Sequence, residues 1–390
     1  MKIKLADRVG QVEEYYFSTK LRQIAQMRAA GLDIINLGIG SPDLKPSQEV
    51  IDRLSQEVQQ EDQHGYQSYI GIPELREALA NWYRRKFGVA LKPENEILPL
   101  IGSKEGIMHL SMTYLQEGDQ VLVPNPGYPT YRSAAQLAGA EVVNYDLNEE
   151  HGWFPAIKEL EEMDLSRVKM MWVNYPHMPT GTIATPELFE DLVKFARRNE
   201  ILLCHDNPYA FILNKNPLSI LSAEGAIDVA VELNSLSKTF NMAGWRVGFL
   251  VGNSDRIREV LRFKSNMDSG MFKPLQLAAV EALNQPDIWY DRVNDTYQSR
   301  RILAEEILTA LQCSFDRSQV GMFVWAHIPD NYPDGISMAD QILEEANVFI
   351  TPGNIFGDKG NQYIRISLCS KEDLLKTALE RIKDWQKKNR

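Results

Sequence analysis

The sequence predicts an α/β protein: a largely parallel sheet covered by helices on both faces, followed by a smaller α+β lobe. Three observations lead there. Short apolar runs recur through the middle of the chain, helix-period segments lie between several of them, and the last third changes to long helical stretches followed by separate strands.

In chain order, Ile97–Ile101, Gln120–Val123, Lys169–Val173, Ile201–Cys204, Val229–Leu233 and Val247–Val251 each read as a buried strand of four or five residues. Glu105–Leu115 and Pro186–Arg198 carry apolar residues at helical spacing between them. Helical stretches around Gln276–Leu283 and Tyr290–Leu311 then precede strands near Gly321–His327 and Tyr363–Leu368. These last elements read as the smaller lobe, with the N-terminal residues packing back on it. In such sheets ligands sit at the carboxyl ends of the strands, so polar residues directly after a strand are the ones to inspect.

Composition narrows the function. A chain of 390 residues, 44% apolar, can bury a large core and a smaller one. A net charge of −11 argues against non-specific nucleic-acid binding. Cys204, Cys313 and Cys369 form no C-x-x-C pair, which fits a reducing compartment and no metal site. Met1–Gly10 leads into no apolar signal segment, and no apolar run approaches the length of a membrane span. A soluble, cytoplasmic protein is expected. Repeats, low-complexity linkers and charge blocks are absent.

Three strand ends carry chemistry. Ile201-Leu-Leu-Cys204 runs into His205-Asp206-Asn207-Pro208-Tyr209, a carboxylate three residues from a phenol. Alone, such an aspartate reads equally as a turn or helix cap. The next strand ends in Asn234-Ser235-Leu236-Ser237-Lys238, where a desolvated lysine would favour its neutral, nucleophilic amine. Arg246 follows eight residues on, with a guanidinium suited to phosphate. Gly102-Ser103-Lys104-Glu105-Gly106 opens a helix after the strand Ile97–Ile101, where backbone N–H groups favour an anion; no nucleotide P-loop pattern is present. Arg365, in Tyr363-Ile-Arg-Ile-Ser-Leu368, lies among apolar neighbours and needs a partner. Among the remaining groups, His64 and His205 are candidate acid–base groups, with His205 reading rather as locally hydrogen-bonded, and Cys204 reads as a core residue. The basic end Lys387-Lys388-Asn389-Arg390 reads as a solvated helix terminus.

The run from Ser235 to Phe249, with Lys238, Gly244-Trp245-Arg246 and Gly248 in it, resembles the lysine signature of the class I/II aminotransferases of fold type I. The likeness extends from about Ile35 to Leu368. It implies a large domain over residues 46–285 with a mostly parallel seven-stranded sheet, and a small α+β domain from residues 1–45 and 286–390. It implies pyridoxal 5′-phosphate held as a Schiff base on Lys238, which also relays the proton during transfer. Asp206 would bind the pyridine nitrogen and Tyr209 the phenolic oxygen. Ser103, Lys104, Ser235, Ser237 and Arg246, with the turn at Gly102, would hold the phosphate. Tyr128 would cover the ring, Arg365 would clamp the substrate carboxylate and Gly40 would close over it. Tyr66 would complete the phosphate site of a neighbouring subunit, which implies a homodimer with shared sites.

Family members read Asn-Pro-Thr-Gly where this chain has Met178-Pro179-Thr180-Gly181. A thioether cannot donate a hydrogen bond to the phenolic oxygen, which raises the Schiff-base pKa; Asn174 is the nearest replacement donor. Ile97–Ile107, Lys264–Phe272 and Thr351-Pro-Gly look most like the LL-diaminopimelate aminotransferase branch, while Met178 and Asn207 depart from its wording. The implied activity is ping-pong amino transfer between L-amino and 2-oxo acids. The alternatives are a C–S lyase working by β-elimination, a transaminase of broader specificity (methionine, aromatic or glutamate substrates), and a cofactor-binding module without turnover.

Overall fold

A computed structural model describes residues 3–388 except 13 and 15. The first strand, β1, is Ile35–Asn36. Seven strands then build the large sheet: β2 (Ile97–Leu100), β3 (Gln120–Asn125), β4 (Glu141–Asp146), β5 (Val168–Val173), β6 (Leu202–Asp206), β7 (Ala230–Ser235) and β8 (Gly248–Gly252). Four more follow: β9 (Phe323–His327), β10 (Val348–Phe349), β11 (Thr351–Pro352) and β12 (Tyr363–Ser367).

The large sheet has the order β2-β8-β7-β6-β5-β3-β4. Every neighbouring pair is parallel except those made by β8, which runs against both β7 and β2. Period-two alternation explains its burial on both faces. Met170 and Trp172 of β5 join one apolar cluster, and Met171 and Val173 join the cluster on the other side. Among the flanking helices, Pro186–Arg198 starts on Thr185, whose hydroxyl accepts from Leu188 N at 3.2 Å, with proline in the first turn.

The expected strands are all present with shifted ends. β6 continues to Asp206, because the ladder to β7 holds through the pair Asp206–Leu233, so the carboxylate closes the strand instead of following it. β9 begins two residues late, since Gly321 sits in a turn at φ +87°. β4 was not anticipated. It lies at the sheet edge with most of its residues exposed or half-buried, so its sequence carries no apolar run. The helix Tyr16–Ala29 was not anticipated either; of its residues only Ile24 is buried, which leaves a weak apolar stripe.

The later strands form a separate antiparallel sheet, β11-β12-β9, and β1 pairs in parallel with β10. A third apolar cluster surrounds them. The helix Asp287–Ala310 is 24 residues long, and its first turn places Tyr290 in a large-sheet cluster while Tyr297, Ala304 and Ile307 enter the small-sheet cluster. The last helix runs Glu372–Lys388; Asn389 and Arg390 of the basic end, like Met1 and Lys2 of the N-terminal segment, lie outside the described residues. No helix among the described residues is long and apolar enough to cross a membrane.

Candidate active site

The carboxyl ends of β5, β6 and β7 and the turn after β2 open into one cleft of about 670 Å³, closed on its far side by β12 and by the helix Tyr16–Ala29. Gly40, Ser103, Lys104, Tyr128, Asn174, Asp206, Tyr209, Ser235, Ser237, Lys238, Arg246 and Arg365 all line it.

Lys238 sits in a single helical turn, Leu236–Thr239, directly after β7. That turn forms because the Ser235 hydroxyl accepts from Ser237 N at 3.0 Å, while also bonding the Ser237 hydroxyl at 2.7 Å. The turn aims the lysine back over the strand ends. Its Nζ donates to Gly40 O at 2.8 Å. Burial pushes the ammonium below its ordinary range; Cys369 and Asp206 oppose that, and Arg365 and Arg246 add to it.

Asp206 is buried at the end of β6. Its Oδ2 accepts from the Tyr131 hydroxyl at 2.8 Å, whereas Oδ1 has no hydrogen-bond partner among the described residues. Desolvation raises the carboxyl to about 6, against the lowering effect of the Tyr131 bond. Tyr131 is itself fixed by a stack on Trp172, ring centroids 4.8 Å apart. The Asn174 side chain bridges the neighbouring backbone: Nδ2 donates to Asp206 O at 2.5 Å and Oδ1 accepts from Met178 N at 2.8 Å. The residue named as a replacement donor is therefore engaged in holding β5 and β6 together. His205, next to Asp206, turns to the opposite face, where it bonds Glu232 at 2.8 Å and the Tyr175 carbonyl.

The other end of the cleft is cationic. The helix Ser103–Tyr114 begins there on Gly102, which has φ +91° and supplies no side-chain cap, so its first N–H groups face the cleft uncapped. Arg246 lies flat against that turn; a methyl group on Gly102 would stand 2.0 Å from its Nη2. Gly248 of β8 also approaches closely, with 2.5 Å between an added Cβ and Ser103 N. Partial burial, then the charge of Arg246, pushes Lys104 below its usual range. Both cations remain exposed in the single chain.

Arg365, on β12, is buried. Its Nη2 donates to Gly38 O at 3.0 Å, its Nη1 meets Met178 Sδ at 3.1 Å, and its plane lies over Phe323 (3.8 Å) and Phe356 (4.6 Å). Among the described residues, the anticipated partners include a carbonyl, a thioether and aromatic ring faces. Gly40 packs against Phe323 so closely that a Cβ would reach its ring at 2.3 Å. Tyr66 stands apart: it is 94% exposed and outside the cleft of its own chain.

Sequence reasoning missed Tyr131, Phe17, Ser18, Leu21, Ile39, Phe323 and Phe356, all lining residues. Tyr131 had a usable signal, one helical turn after Tyr128 in Pro129–Ala138. The others had none, since they reach the cleft only through tertiary packing.

The family described as aminotransferase class I and II matches residues 32–382. The LL-diaminopimelate aminotransferase of Dehalococcoides mccartyi is 38% identical over 387 residues, covering 99% of this chain and 100% of that one. The enzyme of the same name from Desulforudis audaxviator is 40% identical over 97% of each. Among solved structures, apo-BacF from Bacillus subtilis superposes with a TM-score of 0.94 at 36% identity over 98% of both chains. Aspartate aminotransferase of Thermus thermophilus with maleate gives 0.91 at 28% identity, over 98% of this chain and 100% of that one.

Proposed function

This chain belongs to the class I and II aminotransferases, a family whose members use pyridoxal phosphate, and on that premise we propose that it binds this cofactor in the cleft through Lys238. The chain is an aminotransferase of fold type I. The observation that carries the cofactor reading is the placement of one depressed lysine between two complementary ends. A cationic turn lies on one side, and on the other the buried Asp206 Oδ1 has no hydrogen-bond partner among the described residues. A phosphorylated pyridine with a carbonyl between phosphate and ring nitrogen fits that order of groups.

When bound, the cofactor supplies an electron sink for the charge left at the substrate α-carbon. The chain's own residues do the rest. Ser103, Lys104, Ser235, Ser237, Arg246 and the N–H groups above Gly102 hold the phosphate. Asp206 Oδ1 accepts from the ring nitrogen and keeps its proton in place, with Tyr131 fixing the carboxylate. Tyr209 donates to the phenolic oxygen and Tyr128 covers one ring face. Arg365 binds the α-carboxylate of amino acid and oxo acid in turn. Lys238 Nζ, whose charged form burial disfavours, would hold the cofactor and, with substrate bound, would move a proton to and from the substrate α-carbon. Gly40 lies across the cleft, where its carbonyl receives the lysine.

In this reading residues 46–285 form the cofactor-binding domain and residues 1–45 with 286–390 the smaller one. The enzyme works as a cytoplasmic homodimer in which Tyr66 reaches the neighbouring phosphate site. Three free, buried thiols suit a reducing compartment. LL-diaminopimelate, named in relatives of 38–40% identity, is one candidate substrate.

Borohydride reduction of the holoenzyme should fix the cofactor covalently to Lys238. Lys238→Ala should lose both the reducible linkage and turnover, and retention of either would remove the reading.

A further inference from the structure

We infer that the substrate side chain is received by an apolar wall beside Arg365, so that this aminotransferase prefers amino acids with aromatic or long aliphatic side chains over those with a second charged group. The inference rests on the proposed assignment of Arg365 to the α-carboxylate.

With the carboxylate on Arg365, the substituent on the α-carbon, one bond further on, lies within reach of the surroundings of that guanidinium. Those surroundings are contributed by Phe17, Leu21, Ile39, Met178, Phe323 and Phe356. Phe323 and Phe356 lie 3.8 and 4.6 Å from the guanidinium, Phe17 at 5.8 Å, and the Met178 sulfur at 3.1 Å. The wall is held in shape. Phe323 is wedged against the Gly40 α-carbon and meets Tyr209 edge-on at 5.8 Å. The Phe356 carbonyl accepts from Gly127 N at 2.8 Å, which ties its turn to the strand-end loop that carries Tyr128.

Charge makes the same point. Among the described lining residues the cations are Lys104, Lys238, Arg246 and Arg365, and the one carboxylate is Asp206. Each already has a task at the phosphate, the ring or the α-carboxylate. A second carboxylate or ammonium on the substrate would leave water for this wall without gaining an opposite charge from the described lining residues. An aromatic or aliphatic side chain gains burial instead. Met178 strengthens the bias, replacing an amide by a thioether at the edge of the wall.

The test is a half-reaction panel on the full-length holoenzyme, following the absorbance of the bound cofactor in single turnovers. L-phenylalanine, L-leucine and L-methionine are compared with L-aspartate, L-glutamate and LL-diaminopimelate. The apolar amino acids should react with a second-order constant on the order of 100-fold higher. A charged amino acid that matches or exceeds phenylalanine overturns the inference and leaves the aminotransferase standing. Silence from every amino acid overturns the aminotransferase reading and this inference with it. Leu21→Arg, at a position 42% exposed on its helix, should move the LL-diaminopimelate to phenylalanine ratio about tenfold toward the former. An unchanged ratio in a folded variant removes that helix from the wall.

Discussion

The role proposed for Asp206 needs it charged, while it sits where charge is penalised. Burial raises its carboxyl to about 6 from an ordinary value of 3.8, so in that interval the folded chain binds more protons than the unfolded chain. Stability contributed by the protonated form is therefore present below pH 4 and lost as pH rises through 6. Cofactor-free Asp206→Asn should accordingly be more stable than the native apoprotein at pH 7.5, by on the order of 2 kcal/mol, with the gap closing toward pH 4. Thermal unfolding of both proteins across that range checks it, and a gap independent of pH would exclude the mechanism. Bound cofactor should reverse the preference, because a ring N–H on Oδ1 favours the carboxylate. Met178 poses the complementary case. Placing an amide donor there, Met178→Asn, should support the phenolic oxygen and lower the midpoint of the holoenzyme's spectral pH titration by about one unit. A fixed midpoint would show that Tyr209 alone sets it. The placement of Asp206 and Lys238 together in the cleft, at the ends of neighbouring strands, was legible in the sequence. Tyr131 was missed although its spacing from Tyr128 put it on the same helical face, because it acts by holding another side chain.

At the level of elements, the site depends on how closely β8 passes the turn that begins the helix Ser103–Tyr114. Gly248 admits that approach: any Cβ there would press on Ser103 N at 2.5 Å, a backbone atom that can yield only if the turn shifts. Gly248→Ala should leave the fold intact, displace the turn and weaken cofactor binding about 100-fold. Fluorescence titration of the apoprotein measures this, and an unchanged affinity would show that the turn does not hold the phosphate. Strand legibility follows burial. β5, buried at all but one position, stood out as an apolar run; β4, exposed at the sheet edge, did not. The helix Tyr16–Ala29 lies over the cleft with one buried residue, so nothing in its periodicity tied it to the site.

For the molecule as a whole, the single chain buries Arg365 at one end of the cleft and leaves the cationic end, where the phosphate is proposed to sit, exposed. Lys104 and Arg246 are exposed there, and Tyr66 is 94% exposed and does not line the cleft of its own chain. A shared site accounts for both facts, and it has an arithmetic signature. Lys238→Ala and Tyr66→Ala each impair every site in their own homodimer. A mixed dimer holds one doubly impaired site and one that is intact, since the latter takes its lysine from one chain and its tyrosine from the other. With random exchange, half the dimers are mixed, so activity should recover to about a quarter of the native level. Mixing the two inactive proteins under conditions that permit subunit exchange, and assaying amino transfer, decides it. Activity that stays at the average of the two parents would confine Tyr66 to its own chain and leave the open phosphate end without a partner's side chain to close it.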